Sequence, residues 1–414
     1  MRQIFRKRCL IMRPNLHFLE SKLFEALPKR ERDEYLKIQR NLGIPDGHPF
    51  FLDDDFSYDE HLNGFCRYLI VPRRDSPNTW KSYAYTAAEY LDFSDARSIP
   101  WLNASSEHLN DYYRIKTLGT TTLKKVEGNT WNHIQIVLVH MYEYALKQKL
   151  ISELPFSYRI SHSRHRGEKN NVSDLLIKFT PKPINFISIN QFKHHWRPFL
   201  ALKEHSQRNI ALIELLICSG FRISEALGLT IYTIPDPDSS IYVGRNVVPI
   251  TVVGKGKKKR TVPIPKRIIR SIQFYMEEDR EAAVEKRVKK YGSKMVPTKV
   301  FLSESGSPLT KRMVEDIFQE ASKATGIKLT PHGCRHIYST IMLSALIEIV
   351  QMRKPSIEGS GADKYEMLIG DPLHTLQKLL GHKSIETVFT YLEFTSESRE
   401  MVEEALTNWT EMMT

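Results

Sequence analysis

The chain has 414 residues, of which 41% are hydrophobic and 26% are charged, and its formal net charge is +12. This length predicts two or three domains, and the hydrophobic content excludes a wholly disordered chain. No apolar run approaches the roughly 20 residues that span a bilayer, and the basic start lacks the apolar stretch of a secretory signal. We therefore expect a cytoplasmic protein without a membrane segment, and the positive charge favours a polyanionic partner.

The chain gives no indication of a metal or a cofactor. The four cysteines form no CxxC pair, which predicts reduced thiols rather than a disulfide framework or a zinc site. His336 and His374 lie near the motifs described below, but they lack cysteine or carboxylate partners at ligand spacing. We expect neither a metal site nor a cofactor.

Residues 1–55 form a segment whose role the sequence leaves open. Helix-like stretches run from Leu16 to Leu27 and from Arg30 to Leu42, on either side of Pro28. The segment either contacts accessory sites on the polyanionic partner or is a basic solvated start. Residues 56–165 then show helical periodicity and many aromatic residues, which predicts a small helical domain with most of those aromatics in its core.

A linker is predicted at residues 166–182, because the polar, basic stretch from Ser161 to Asp174 shows no hydrophobic periodicity. A second domain is predicted over residues 183–397. In it, isoleucines at helical spacing predict a helix from Asn209 to Ile217, which stops at Gly220.

Two segments rich in β-branched residues, 242–253 and 261–264, predict a small antiparallel sheet with a basic turn. The fold class is therefore multidomain and mainly α, with a small antiparallel β-sheet. The stretch 351–375 is long for a loop and resembles an insert. Residues 398–414 predict an amphipathic C-terminal helix, which packs either on its own chain or on a neighbouring protomer.

One cluster of candidate functional residues opens a predicted helix, with Thr330 as N-cap and Pro331 at the first position. His332 and Arg335 follow, three positions apart, and so share one face near the helix N-terminus. Backbone N–H groups and the helix dipole favour an anion there. The pair is either part of a phosphate site or an accidental HxxR.

A second cluster follows the segment LLGHKS, which contains His382. Ser384 is a predicted N-cap of a short helix, and Ser384, Val388 and Tyr391 stand at i, i+4 and i+7 on one side of it. The hydroxyl of Tyr391 is then within reach of a site near His382. The alternative is a core tyrosine with a solvated hydroxyl.

A third cluster follows the glycine turn at Gly220. Arg222 opens the next predicted helix, and its planar guanidinium suits two phosphate oxygens. The alternative is an ordinary surface arginine. Glu225 is expected to be a structural partner, because a carboxylate facing a phosphate would repel it.

Together, the segments GFRISEALGL, HGCRH and LLGHKSIETVFTYL resemble the three signature boxes of the tyrosine recombinase, or phage integrase, family, in the family's order. The segment VVGKGKKKRTVPIP is similar to the family's β-hairpin, which carries a catalytic lysine. The resemblance covers roughly residues 187–394, and the preceding helical region resembles the family's core-binding domain more weakly. It implies a helical core-binding domain and a catalytic domain that clamp duplex DNA.

The resemblance also implies a mechanism without metal or ATP. Tyr391 would attack the scissile phosphate and form a 3′-phosphotyrosine, which conserves the phosphodiester energy. Arg222 and Arg335 would bind the non-bridging oxygens and offset the charge of the transition state.

The resemblance assigns proton transfer and hydrogen bonding to three further residues. His332 would act as acid or base near the tyrosine proton, His382 would donate a hydrogen bond to the phosphate, and Lys255 would protonate the departing 5′ oxygen. The neighbouring cations of the turn would contact backbone phosphates, although each is an alternative to Lys255; they are Lys257, Lys258, Lys259 and Arg260. Tyr338 is a rival nucleophile by position, but its apolar helix predicts a core residue.

These implications predict a site-specific DNA recombinase or integrase that integrates or excises a mobile element. Four protomers would act on two sites in double-stranded DNA. One alternative is an enzyme like the type IB topoisomerases, although LLGHKS followed by TYL favours a recombinase. The other is a non-catalytic DNA-binding regulator, which would not require Tyr391 or His332.

Overall fold

The structure is a computed structural model that divides into two compact units, residues 1–182 and 183–414. It describes residues 15–53, 55–74, 76–119, 125–162, 169–178, 187–254, 258–292, 296–357, 371–381 and 388. Each unit has its own hydrophobic core. Among the described residues, no helix has the length and apolar character needed to cross a membrane.

The helices of the first unit are α1 Lys29–Asn41, α2 Glu60–Ile70, α3 Pro77–Asp95, α4 Ser106–Leu118 and α5 Gly128–Lys147. Side-chain caps start three of them: Asp59 precedes α2, Ser76 precedes α3 and Ser105 precedes α4. Large aromatic residues fill the core between α3, α4 and α5, and Trp80 and Trp131 are almost fully buried. The predicted small helical domain has this aromatic core.

Two small antiparallel sheets in the first unit were not predicted. Strand β1 (Asn15–Phe18) pairs with β2 (Pro49–Leu52), and β3 (Tyr158–His162) pairs with β4 (Lys169–Ser173). The prediction of a helix from Leu16 to Leu27 is therefore wrong, since β1 and a 3₁₀ helix at Ser21–Ala26 occupy that stretch.

Contacts with residues outside each strand stabilise these two sheets. The side chain of Asn63 in α2 donates to the carbonyl of Phe51 at 2.8 Å and accepts from its N–H at 2.7 Å, which fixes β2. In the predicted linker, residues 169–173 form β4 through backbone pairing with β3. Backbone pairing needs no hydrophobic periodicity, so a polar sequence does not exclude a strand.

The helices of the second unit are α6 Ile189–Gln191, α7 Arg197–Ala201, α8 Ser206–Ser219, α9 Ile223–Ala226, α10 Lys266–Glu277, α11 Asp279–Tyr291, α12 Lys311–Thr325, α13 Pro331–Ile357 and α14 Pro372–Leu380. A π-helical turn, Phe192–Trp196, joins α6 to α7. Helix α8 is buried on most of its circumference and packs against α10 and α13. A helix that is buried on most sides belongs in a core, and α8 is the central helix of this unit.

Strands β5 (Val247–Val253) and β6 (Lys259–Pro265) form the predicted antiparallel sheet. Buried and exposed residues alternate along β5, so Val248, Ile250 and Val252 face the core. The prediction of a mainly α fold with a small antiparallel sheet is confirmed, with 3₁₀ turns at Trp101–Asn103, Ile231–Thr233 and Ser240–Tyr242 as additions.

A second, smaller cluster lies between α13 and α14, and it includes Tyr338, Leu376, Leu380 and Val388. Tyr338 is 4% exposed, so the prediction that it is a core residue is confirmed. Burial raises its pKa to about 12, which keeps the phenol protonated near neutral pH.

Gly220 ends α8 with a φ of +62°, and a β-carbon at this position would overlap the buried ring of Tyr338. We predict that Gly220→Ala lowers the free energy of unfolding by about 2–4 kcal/mol, from left-handed backbone strain plus overpacking. Gly244→Ala is the control, because Gly244 has a φ of +74° but open space around it. Denaturant titration measures the free energy of unfolding of both variants. Equal losses in the two variants would contradict the overlap with Tyr338.

Candidate active site

The guanidinium of Arg335 joins three helix ends. Arg335 lies in the first turn of α13 and is 2% exposed. Its Nη1 donates to the carbonyl of Gly220 at the end of α8, and its Nη2 donates to the carbonyl of Leu380 at the end of α14, at 2.6 Å. The last carbonyls of a helix have no partner within the helix, so a planar guanidinium is well suited to bind two of them.

The local start of α13 is the predicted one. The hydroxyl of Thr330 accepts from the N–H of Gly333 at 3.0 Å, and Pro331 is the first helical residue. This cap directs the first turn, with His332 and Arg335, toward the end of α8.

Arg222 directly precedes α9, as predicted, and is held by Glu225. The carboxylate of Glu225 accepts the backbone N–H of Arg222 at 2.7 Å and its Nη1 at 3.1 Å. The side chain of Arg222 is 35% exposed, whereas that of Glu225 is 1% exposed. Arg222 is therefore oriented by a buried carboxylate and remains accessible.

Arg260 lies in a different environment from the one that the sequence suggested. It was grouped with the lysines expected to contact DNA, but its side chain is 11% exposed and both terminal nitrogens donate to Glu225, one of them at 2.7 Å. Its Nε donates to the carbonyl of Leu379 at 3.0 Å. The reason is the strand alternation, because Arg260 shares the inward face of β6 with Val262 and Ile264.

Burial acts to raise the pKa of Glu225, but the hydrogen bonds from Arg260 and from the N–H of Arg222 outweigh it and hold that pKa below its usual value. Glu225 is therefore a carboxylate at neutral pH. Its expected structural role is consistent with this environment, since its charge points to two arginines.

His332 and His336 lie one turn apart on α13, with ring centroids 4.4 Å apart. Desolvation, followed by the charges of Arg335 and Arg222, lowers the pKa of His332. Desolvation, His332 and Arg335 lower the pKa of His336 to about 4. The imidazole of His332 is therefore neutral at pH 7 and able to accept a proton.

Arg222, His332 and Arg335 line one cavity of about 760 Å³. Its apolar wall includes Phe318 and Leu329, and three lysines also line it, namely Lys311, Lys323 and Lys328. The structure thus brings three of the six candidate catalytic residues together in a cationic cavity that suits a phosphodiester.

The other three candidates, Lys255, His382 and Tyr391, lie outside the described residues, as does Lys257. Lys258 and Lys259 are exposed at the start of β6. Within the parts of the chain that the structure describes, no group of three or more histidine, cysteine, aspartate or glutamate side chains could hold a metal ion.

The profile of the phage integrase family matches residues 188–353, which include both arginines and His332. The chain is 28% identical over 350 residues to the tyrosine recombinase XerC of Halalkalibacterium halodurans, an alignment that covers 82% of this chain and 94% of that protein. The matching domain and this relative support a tyrosine recombinase. The prediction from the three sequence boxes is confirmed, and this tyrosine recombinase is a DNA strand-transferring enzyme.

Two further similarities fit this assignment. The tyrosine recombinase XerC of Chlamydia pneumoniae is 31% identical over 193 residues, 46% of this chain and 48% of that protein. The XerH site-specific recombinase, solved with a palindromic difH substrate after cleavage, superposes with a TM-score of 0.53 at 18% identity and covers 82% of each chain. The second similarity shows a shared fold.

We predict that Arg335→Ala lowers the free energy of unfolding by about 3 kcal/mol or more, because two buried carbonyls lose a charged donor. Thermal and denaturant unfolding measure the loss. Arg312→Ala removes an exposed ion pair with Asp316 and serves as a control, with a change below about 0.5 kcal/mol. Equal stability of the two variants would refute the bridging role of Arg335.

The lowered pKa of His336 makes stability depend on pH. Between pH 6.5 and about 4 the unfolded chain binds a proton at this position that the folded chain does not, so stability falls as pH falls through this range. We predict that His336→Gln makes the free energy of unfolding depend less steeply on pH between pH 7 and pH 5. Urea titrations at several pH values measure the slope, and a slope identical to that of the wild type would contradict the prediction.

Proposed function

We propose that the chain is a site-specific recombinase that cleaves and rejoins double-stranded DNA through a 3′-phosphotyrosine at Tyr391. The observation that supports it most is the shared cavity of Arg222, His332 and Arg335, in a chain whose sequence contains the remaining boxes of the family. Arg222, Lys255, His332, Arg335, His382 and Tyr391 form the proposed catalytic set.

In the proposed reaction, the oxygen of Tyr391 attacks the scissile phosphorus while neutral His332 accepts the phenolic proton. The two guanidinium groups donate to the non-bridging oxygens and offset the charge of the pentacovalent transition state, and His382 adds a hydrogen bond. The bond from phosphorus to the 5′ oxygen breaks, and Lys255 supplies a proton to that oxygen. Attack by a 5′-hydroxyl of a second strand reverses each step and releases the tyrosine.

The turn of the β5–β6 hairpin suits the DNA backbone. Lys258 and Lys259 are exposed, Lys257 precedes them in the sequence, and each contact between a lysine and a phosphate releases counterions. We assign DNA contact at the hairpin to Lys257, Lys258 and Lys259. Arg260 is left out of this set because its guanidinium is engaged by Glu225 and Leu379.

We assign residues 56–165 to core binding of DNA, residues 183–397 to catalysis and residues 398–414 to a C-terminal helix. Four protomers on two duplex sites would complete the strand exchange, in the cytoplasm, with integration or excision of a mobile element as the outcome. The similarity to XerH, solved in complex with its DNA substrate, supports duplex DNA as the partner. Residues 169–173 lie in a strand, and Leu175 and Ile177 pack against the core of the first unit, so the connection between the domains begins after Ile177.

We predict that the wild type forms a denaturation-resistant adduct on nicked duplexes tiled across the DNA that flanks the gene, and that Tyr391→Phe forms none. Gel electrophoresis in detergent and mass spectrometry of the adduct measure the outcome. Tyr338→Phe is the matched control, because it removes a buried phenol that we place outside the chemistry, and it keeps the adduct.

Adduct formation by Tyr391→Phe would reject Tyr391 as the nucleophile. If no variant and no wild-type protein forms an adduct on DNA that the protein demonstrably binds, the chain is a DNA-binding regulator.

A further inference from the structure

One buried carboxylate, that of Glu225, faces two guanidinium groups. Arg260 donates to both of its oxygens, whereas Arg222 donates its Nη1 to one oxygen at 3.1 Å. We propose that Arg260 is a positioning residue of the strand-transfer reaction, which engages Glu225 so that Arg222 stays available to the phosphate. This inference rests on the proposed function, in which Arg222 binds a non-bridging oxygen.

The burial of the three side chains differs in a way that supports this division of roles. Glu225 is 1% exposed and Arg260 is 11% exposed, so their ion pair is formed away from water. Arg222 is 35% exposed and lines the cavity. A buried carboxylate without its main partner binds another cation nearby, because an uncompensated charge in the interior is costly. Arg222 is already in contact with Glu225 and would be that cation.

Arg260 is also held from a third direction. Its Nε donates to the carbonyl of Leu379 near the end of α14, and its Cδ lies 3.0 Å from the position of a β-carbon on Gly381. A β-carbon on Gly254, at the end of β5, would lie 3.2 Å from Oε1 of Glu225 and 3.4 Å from Nη1 of Arg260. The backbone at Gly254 and Gly381 thus lies close to the ion pair and leaves little space around it.

The decisive experiment removes the two charges one after the other. Arg260→Met keeps an unbranched apolar side chain but removes the guanidinium, so Glu225 captures Arg222. We expect the single-turnover cleavage rate to fall about 100-fold, as on removal of one donor to a transition state. Adding Glu225→Gln removes the negative charge. We expect the double variant Arg260→Met/Glu225→Gln to cleave at least about 10-fold faster than Arg260→Met. The substrate is the nicked duplex that gives the most adduct with the wild type.

Two further measurements separate positioning from a merely structural role. DNA affinity, measured by fluorescence anisotropy, stays within about 3-fold of wild type in each variant, since many other phosphate contacts remain. Arg270→Ala is the matched control, because it removes an exposed arginine that pairs with Asp238, and it leaves the cleavage rate unchanged.

The proposal is overturned if Arg260→Met cleaves as fast as the wild type, or if the double variant cleaves no faster than Arg260→Met. Should Arg260→Met fail to fold, Arg260→Lys supplies the test, because it retains the charge and is expected to keep the rate within about 10-fold of wild type. A 100-fold loss in the folded lysine variant would reject the charge-based role.

A readout without DNA keeps this test separate from that of the proposed function. In a crystal structure of Arg260→Met, or of Arg260→Lys/Glu225→Gln if the former does not fold, the contact between residues 222 and 225 is compared with that of the wild type. The guanidinium of Arg222 bound to both oxygens of Glu225 in the first case, or released from the neutral amide at position 225 in the second, supports the inference. An unchanged contact in either case overturns it, even if no duplex yields an adduct.

Discussion

Backbone carbonyls at helix C-termini need donors, and in the second unit arginines supply several of them. Arg335 binds the carbonyl of Gly220 at the end of α8 and that of Leu380 at the end of α14, and Arg260 binds the preceding carbonyl, Leu379. The position of the segment that leads to His382 and Tyr391 is therefore tied to the segment that carries Arg222. A lysine could not make both contacts of Arg335, because a single ammonium lacks the planar fork that reaches two acceptors.

The sequence predicts the parts of the site that depend on local chemistry. The cap at Thr330 and Pro331 defines the start of α13, the glycine at 220 defines the end of α8, and the β-branched residues predict β5. Such signals act over a few residues, and α8, α13 and β5 form as these signals predict. The family boxes add the identity of the chemistry, because several weak motifs in a fixed order are jointly specific.

Features that depend on partners distant in the chain could not be predicted from the sequence. Strand β1 pairs with residues more than thirty positions away, and β4 pairs across a polar stretch without a hydrophobic pattern. The burial of Arg260 was not predicted, because this residue ends a run of lysines that resembles a solvated cationic turn. Its period of two with Val262 and Ile264 was the available signal for an inward side chain, and a buried partner such as Glu225 was needed to interpret it.

The buried state of Arg335 affects how related sequences are interpreted. Arg335 binds the carbonyls at two helix ends as well as serving the proposed chemistry, so folding would still require it in a descendant that had lost strand transfer. Arg222 is more exposed and its guanidinium contacts Glu225, so it is under a different constraint. In a degenerate copy of such a gene, loss of the accessible arginine would mark the end of catalysis long before loss of the buried one.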